Sequence, residues 1–176
     1  MPDNFNQQFS TYACGDLIDD FIVNYKKQFN TSFFKAYIKA IKNNQRMDTK
    51  EKSSLIIHED SNVIVFIPKA QTSQWEVQIM TKKSVGNILE ADQDTRFSID
   101  NAMYKAIKAL GGNGAKMVTS IEYSKNFHNT DSDQRLIYAL LPRLPNSPGA
   151  FSETQLRWIN RHYPEDFAAT LNSRCL

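Results

Sequence analysis

The sequence predicts an α+β domain, a largely antiparallel sheet flanked by helices. Three observations carry that expectation. Two stretches at helical spacing open the chain. Five short runs rich in β-branched and aromatic residues follow, with one long helical pattern between the third and the fourth. A short Pro-Glu-Asp helix closes it, so the order is βββαββ with helices at both ends.

From Asp16, residues Leu17/Ile18, Phe21/Ile22, Tyr25 and Phe29 recur at helical spacing, with Asp16 as the expected N-cap. Asn30-Thr31-Ser32 interrupts the pattern. A second helix then shows Phe34, Ile38 and Ile41 on one face and Lys35, Lys39 and Lys42 on the other, as an amphipathic surface helix does. The polar run NNQRMDTKEKSS, Asn43 to Ser54, is expected to be the most mobile loop. SLIIHED, NVIVFIP (Asn62 to Pro68) and QWEVQIMT (Gln74 to Thr81) read as an antiparallel meander.

Asp94 or Thr95 is expected to cap the long helix, whose Ile99, Met103, Ile107 and Leu110 share a face. Gly111-Gly112-Asn113-Gly114 ends it. Those glycines follow a helix instead of preceding one, so they do not read as a phosphate loop. KMVTSIEYS (Lys116 to Ser124) is the fourth strand, KNFHNTDSD a polar loop, and RLIYALLPR the fifth strand, ending at Pro142-Arg143. In NRHYPED, Pro164 suits the first helical position, with Glu165 and Asp166 in the first turn.

A chain of 176 residues makes one domain, divided as a flexible N-terminus (1–12), the folded domain (13–172) and a short tail (173–176). A net charge of +2 is too balanced to predict nucleic-acid binding. Eight Lys or Arg residues between Lys26 and Lys52 face only Asp48 and Glu51, which reads as the solvated face of the early helices. Cys14 and Cys175 make no disulfide framework, and there is no basic leader or membrane-length apolar run. A cytoplasmic protein without a membrane anchor is therefore expected.

The order of motifs in HEDSNVIVFIPKAQTSQWEVQIMTKKSVGNILE is an acidic residue, a strand ending in proline, an aromatic-containing turn, and a Leu-Glu before the long helix. It resembles the histidine-triad superfamily, above all the branch of galactose-1-phosphate uridylyltransferase and the dinucleotide phosphorylases. IEYSKNF, ALLPR, NSPGAF and YPEDFAATL are similar to the end of that domain, so the resemblance spans roughly Cys14 to Leu171. It implies a single mostly antiparallel domain whose penultimate strand carries His-x-His-x-His. The middle imidazole attacks the α-phosphorus of a nucleotide, and alternate spacing puts all three rings on one face of the strand.

Matching Pro142-Arg143 to the family's Pro-Arg exit places Arg135, Ile137 and Ala139 at the three histidine positions. A slip of one residue places Leu136, Tyr138 and Leu140 there, and Tyr138 has no sequence neighbour to lower its pKa. The nearest histidine, His128, lies in the preceding loop. The zinc ligands the resemblance implies fall at Cys14, Leu17, Ser84 and Arg135, of which one is a sulfur, so neither a metal nor a cofactor is expected.

The candidate ligand-binding residues are thus Arg135, Arg143, Lys82 and His128, with no catalytic residue. Arg135 is expected either to pair with Asp131, Asp133 or a distant carboxylate, or to face an anion. His58 reads as a surface histidine. Trp75 and Trp158 read as core or, with Tyr12, Phe33 and Phe151, as a partner groove. The expected function is that of a catalytically inactive relative serving as a regulatory module. Its ligand would be a nucleotide or sugar-phosphate, or else a protein partner. The alternative is an active nucleotidyltransferase, phosphorylase or hydrolase with a non-standard residue set. A homodimer is a further expectation, because many members of the superfamily pair through their sheets and helices.

Overall fold

In the run from Ile56 to Thr81, β-branched and aromatic residues form three short strands, β1 (Ile56–Glu59), β2 (Val63–Phe66) and β3 (Val77–Thr81), each antiparallel to the next. The computed structural model describes residues 15–125, 132–143 and 162–175. Asp60 makes the β1–β2 turn, its carboxylate accepting from the N–H groups of Asn62 at 2.7 Å and Val63 at 2.8 Å. All four residues of β2 are buried, as a central strand covered on both faces requires.

The remaining strands, β4 (Met117–Tyr123) and β5 (Ile137–Arg143), complete a five-stranded antiparallel sheet of order β1-β2-β3-β5-β4. The expected α+β domain with a meander and two later strands is therefore present. Arg135 lies two residues ahead of β5 instead of within it.

Among the described residues four helices flank the sheet: α1 (Gly15–Phe29), α2 (Phe33–Lys42), α3 (Gln93–Gly112) and α4 (Pro164–Cys175). Since α1 already includes Gly15, Asp16 sits in its first turn and is not the N-cap. Ser32 caps α2, its hydroxyl accepting from the Lys35 N–H. Asp92, not Asp94 or Thr95, caps α3: its carboxylate accepts from the Thr95 N–H at 2.7 Å, while Asp94 sits in the first turn, where a negative charge suits the helix dipole. Pro164 opens α4 as its fixed φ favours.

Strand alternation sends side chains to two apolar layers. On one face Val65, Ile67, Val77, Ile79, Leu136 and Leu140 pack against α3 and α4. There Ala102, Ala106 and Ala109 bring α3 close to the sheet, and Phe167, Ala168 and Leu171 bring in α4. On the other face Ile64, Phe66 and Met80 meet Ile22 of α1 and Phe34 and Ile41 of α2.

Two expectations need correction. The run Asn43 to Ser54 is tied down by partners more than a hundred residues away. Arg46 pairs with Asp48 at 2.9 Å and Asp166 at 2.5 Å, and its guanidinium lies over the Tyr163 ring. Asn44 and Lys69 both donate to Glu165. Trp75 also is not a strand residue. Its φ of 65° places it in a turn, and its ring stacks on Phe167 with centroids 5.1 Å apart.

His58 in β1 makes the fold sensitive to mild acid. Burial lowers its pKa, Lys105 lowers it further, Asp60 opposes them, and its Nε2 has no hydrogen-bond partner among the described residues. The folded state thus favours the neutral ring. Its stabilisation is complete above the unfolded pKa of about 6.5 and is lost as pH falls through that value toward the lower folded one. Burial raises the carboxyls of Glu59, Asp60, Glu90 and Glu165, but their hydrogen bonds overcome it and hold all four below the usual range, so their contribution is lost only in stronger acid. Thermal unfolding is expected to show a decline in stability between pH 8 and pH 5.5 that His58→Gln removes. An identical decline in the variant would rule His58 out.

Candidate functional site

The turn after β3 sets the geometry. Thr81 Oγ1 donates to the Val85 carbonyl at 2.7 Å, and the same carbonyl accepts the Leu136 N–H at 2.8 Å. Gly86 O accepts the Lys125 N–H at 2.7 Å, and Gly86 N–H donates to Glu90, which also pairs with Lys125 Nζ at 2.5 Å. A β-carbon on Gly86 would lie 2.6 Å from Lys125 Cβ and 2.9 Å from the Gln134 carbonyl, so only glycine allows this closeness. The turn is thereby fastened to the approach to β5, which places Ser84 beside Asp133.

Asp133 is the hub. Its Oδ1 accepts from Ser84 Oγ at 3.0 Å and pairs with Arg135 Nη2 at 3.1 Å, while Oδ2 accepts from Ser32 Oγ at the start of α2. Arg135 is 3 % exposed, and its Nε and Nη1 have no hydrogen-bond partner among the described residues. Burial pulls its pKa down and Asp133 pushes it back up. The pairing expected of Arg135 is thus made with Asp133.

A cavity of about 540 Å³ opens beside this hub, lined by Lys26 of α1, Asn30 to Ser32, Lys35 of α2, Ser84 and Asp133 among others. Two ammonium groups face one carboxylate that Arg135 already engages, and the α2 N-terminus adds a partial positive charge, so the cavity suits an anion.

The next odd positions continue along the same sheet face. Ile137 lies opposite Met80 and packs against the apolar layer beneath α1 and α2, and Ala139 is buried opposite Gln78. A phosphate at Ile137 would have to displace that layer. Leu136, Tyr138 and Leu140 take the opposite face. There burial raises the Tyr138 phenol, as does its hydrogen bond with Glu122, away from any nucleophilic role.

The other candidates are not brought to the hub. Lys82 donates to the Asp60 carbonyl at 2.6 Å and pairs with Glu59 at 2.7 Å, a carboxylate that Lys42 also holds. Arg143 is exposed at the far end of β5, opposite Met117 and about 25 Å along the chain from Arg135 at strand rise. His128 lies outside the described residues, as do Cys14, Asp131, Tyr12, Phe151 and Trp158. Of the positions that the resemblance gives to zinc, Ser84 and Arg135 do converge, but a cation between them would face a guanidinium, so these residues do not fit the metal. Among the described residues no group of three or more His, Cys, Asp or Glu is placed to hold an ion. No helix among them is long and apolar enough to cross a membrane.

Sequence reasoning missed Ser32, Lys26 and Lys35 as site residues. The break at Asn30-Thr31-Ser32, a cap residue with lysines on both sides, was the available signal.

No protein-family model and no curated protein matches the sequence. Solved structures do match in fold. A uridylyltransferase superposes with a TM-score of 0.72 at 13% identity over 93% of this chain and 52% of its own. An ADP-glucose phosphorylase from Arabidopsis thaliana, with bound ADP-glucose, gives 0.67 at 15% over 86% and 46%. A histidine-triad-like protein from Bartonella henselae gives 0.54 at 20% over 80% and 95%. The chain thus has the histidine-triad fold, in the form seen in uridylyltransferase, and spans about half the length of uridylyltransferase and of the phosphorylase.

Proposed function

We propose that this chain works by binding, as a module of the histidine-triad fold that does not transfer nucleotidyl groups and takes a phosphate-bearing ligand, a nucleotide or sugar-phosphate, in the cavity beside Asp133. The observation that carries the reading is the chemistry along the strand face where relatives would act. Arg135 is buried in an ion pair, Ile137 is packed under α1 and α2, and Ala139 has no functional group. None offers a lone pair able to attack phosphorus at neutral pH. Lys26 and Lys35 supply charged donors for a phosphate at the cavity wall, and the ADP-glucose bound to a phosphorylase of similar fold supports the reading.

Titration calorimetry with nucleoside mono- and diphosphates and sugar phosphates tests the binding. At least one ligand is expected to give heat, and Lys26→Ala or Lys35→Ala to weaken it roughly tenfold. No heat from any of them removes the ligand and leaves a protein partner as the reading. Incubation with nucleotide labelled at the α-phosphate tests the silence. No label is expected to survive on the denatured chain. Turnover or a covalent adduct abolished by Arg135→Ala or His128→Ala establishes the active alternative.

A further inference from the structure

One flank of the molecule carries more positive charge than the net +2 of the whole chain suggests. On α2, Lys35, Lys39 and Lys42 follow one another at four and three residues, which sets them on one face of the helix. Lys35 starts this row at the cavity wall, and Lys26 of α1 lines the same cavity. Lys26, Lys35 and Lys39 are exposed and make no ion pair among the described residues. Two carboxylates border the row, and both are already engaged. Asp133 holds Arg135 at 3.1 Å, and one oxygen of Glu59 takes both Lys42 and Lys82 at 2.7 Å, which leaves that trio with a surplus positive charge.

Lysines in a row on a helix are often no more than a solvated face. This row differs in what it leads into. At its head lies the cavity at the α2 N-terminus, where the helix dipole adds to the pull on an anion. Beside the cavity stands an aromatic ring. Ile22 and Lys26 line the cavity, and Phe29, three residues beyond Lys26, falls on the same side of α1 and is 54 % exposed. Tyr25 supports that ring with its centroid 4.6 Å away. Lys35 and Lys39 are about 6 Å apart along the helix axis, close to the spacing of neighbouring phosphates on an extended single strand. An acidic peptide would match the lysines alone, whereas a strand of nucleotides matches lysines, cavity and ring together.

We infer that this flank binds single-stranded nucleic acid. One phosphate sits in the cavity, the base next to it stacks on Phe29, and the following phosphates run along Lys35, Lys39 and Lys42. This rests on the phosphate-binding reading of the cavity and extends the ligand from a mononucleotide to a chain.

Fluorescence anisotropy of the full chain with labelled octathymidylate tests it, set beside the calorimetric panel of small phosphates. The oligonucleotide is expected to bind at least tenfold more tightly than thymidine monophosphate. Its log K should fall against log salt with a slope of about −2 to −3, as three or four phosphate contacts on a single strand give. Lys39→Gln is expected to weaken it several-fold and to take about 0.7 off that slope, and Phe29→Ala to weaken it roughly tenfold. Both positions are exposed, and circular dichroism is expected to show both variants folded. If the oligonucleotide fails to bind while any small phosphate gives heat, the inference falls and the cavity reading stands; if nothing binds, both fall. Affinity that Lys39→Gln and Phe29→Ala leave unchanged overturns the inference. So does displacement by polyglutamate or phosphatidylserine vesicles as effective as that by unlabelled oligonucleotide, since the flank would then be a surface for anions of any kind.

Discussion

Asp133→Ala is expected to destabilise the fold by about 3 kcal/mol, whereas Arg135→Met is expected to cost about 1 kcal/mol or less. The asymmetry follows from which group is left behind. Arg135 is almost fully buried, and Asp133 holds it through its single ion pair among the described residues. Without that carboxylate a guanidinium stays out of water with no counter-charge, and Ser32 and Ser84 lose their acceptor as well. Asp133 itself is 32 % exposed, so water solvates it once the arginine is gone, and the methionine fills the vacated space. Because of that exposure the expected loss sits at the low end of the range for broken buried pairs. Urea unfolding of both single variants and the double variant measures the three values. If Arg135→Met costs as much as Asp133→Ala, the hub is held by something other than this pair.

Gly86→Ala is expected to cost about 2–3 kcal/mol, lowering the melting temperature by roughly 5–10 °C. The added carbon would come too near a Cβ and a backbone carbonyl, neither of which can swing away as the end of a long side chain can. Relief requires the turn to move off the approach to β5, and that turn carries Ser84 to Asp133. Ligand affinity in the cavity should therefore fall along with stability. Leu110→Ala, a core truncation in α3, is expected to lose comparable stability and leave affinity unchanged. If calorimetry shows both variants binding as the wild type does, the turn is not what places Ser84.

Much of the architecture was legible because it rests on local period. Ile56 to Thr81 alternates toward two faces, Ile99 to Leu110 recurs at helical spacing, and Pro164 marks a helix start, although Ile107, expected on the inner face of that helix, is 46 % exposed because Ala102, Ala106 and Ala109 make the close contact with the sheet. The order of these elements was enough to suggest the histidine-triad fold. What stayed hidden depends on distant partners. Lys82 looked available at the end of a strand, yet Glu59 and the Asp60 carbonyl, two strands earlier, occupy it. The polar run Asn43 to Ser54 has the composition of a loose loop, and Asp166, Tyr163, Glu165 and Lys69 hold it in place. Asp92 lost to Asp94 on paper because capping depends on which backbone N–H the carboxylate reaches. Of the site, Arg135 and its pairing with Asp133 were among the expectations. The cavity was not, because it takes shape where the α1–α2 break, the turn after β3 and the approach to β5 meet.

The separation in sequence between β1 and α4 bears on how this domain folds as it is made. Phe167, Ala168 and Leu171 fill one apolar layer, and Asn172 donates to the carbonyl of Ile56 in the first strand. The first strand therefore gains this neighbour only after more than a hundred further residues have been made. A chain still tethered to the ribosome must hold most of its sheet with that flank wet, and shielding by a chaperone should matter most during that interval.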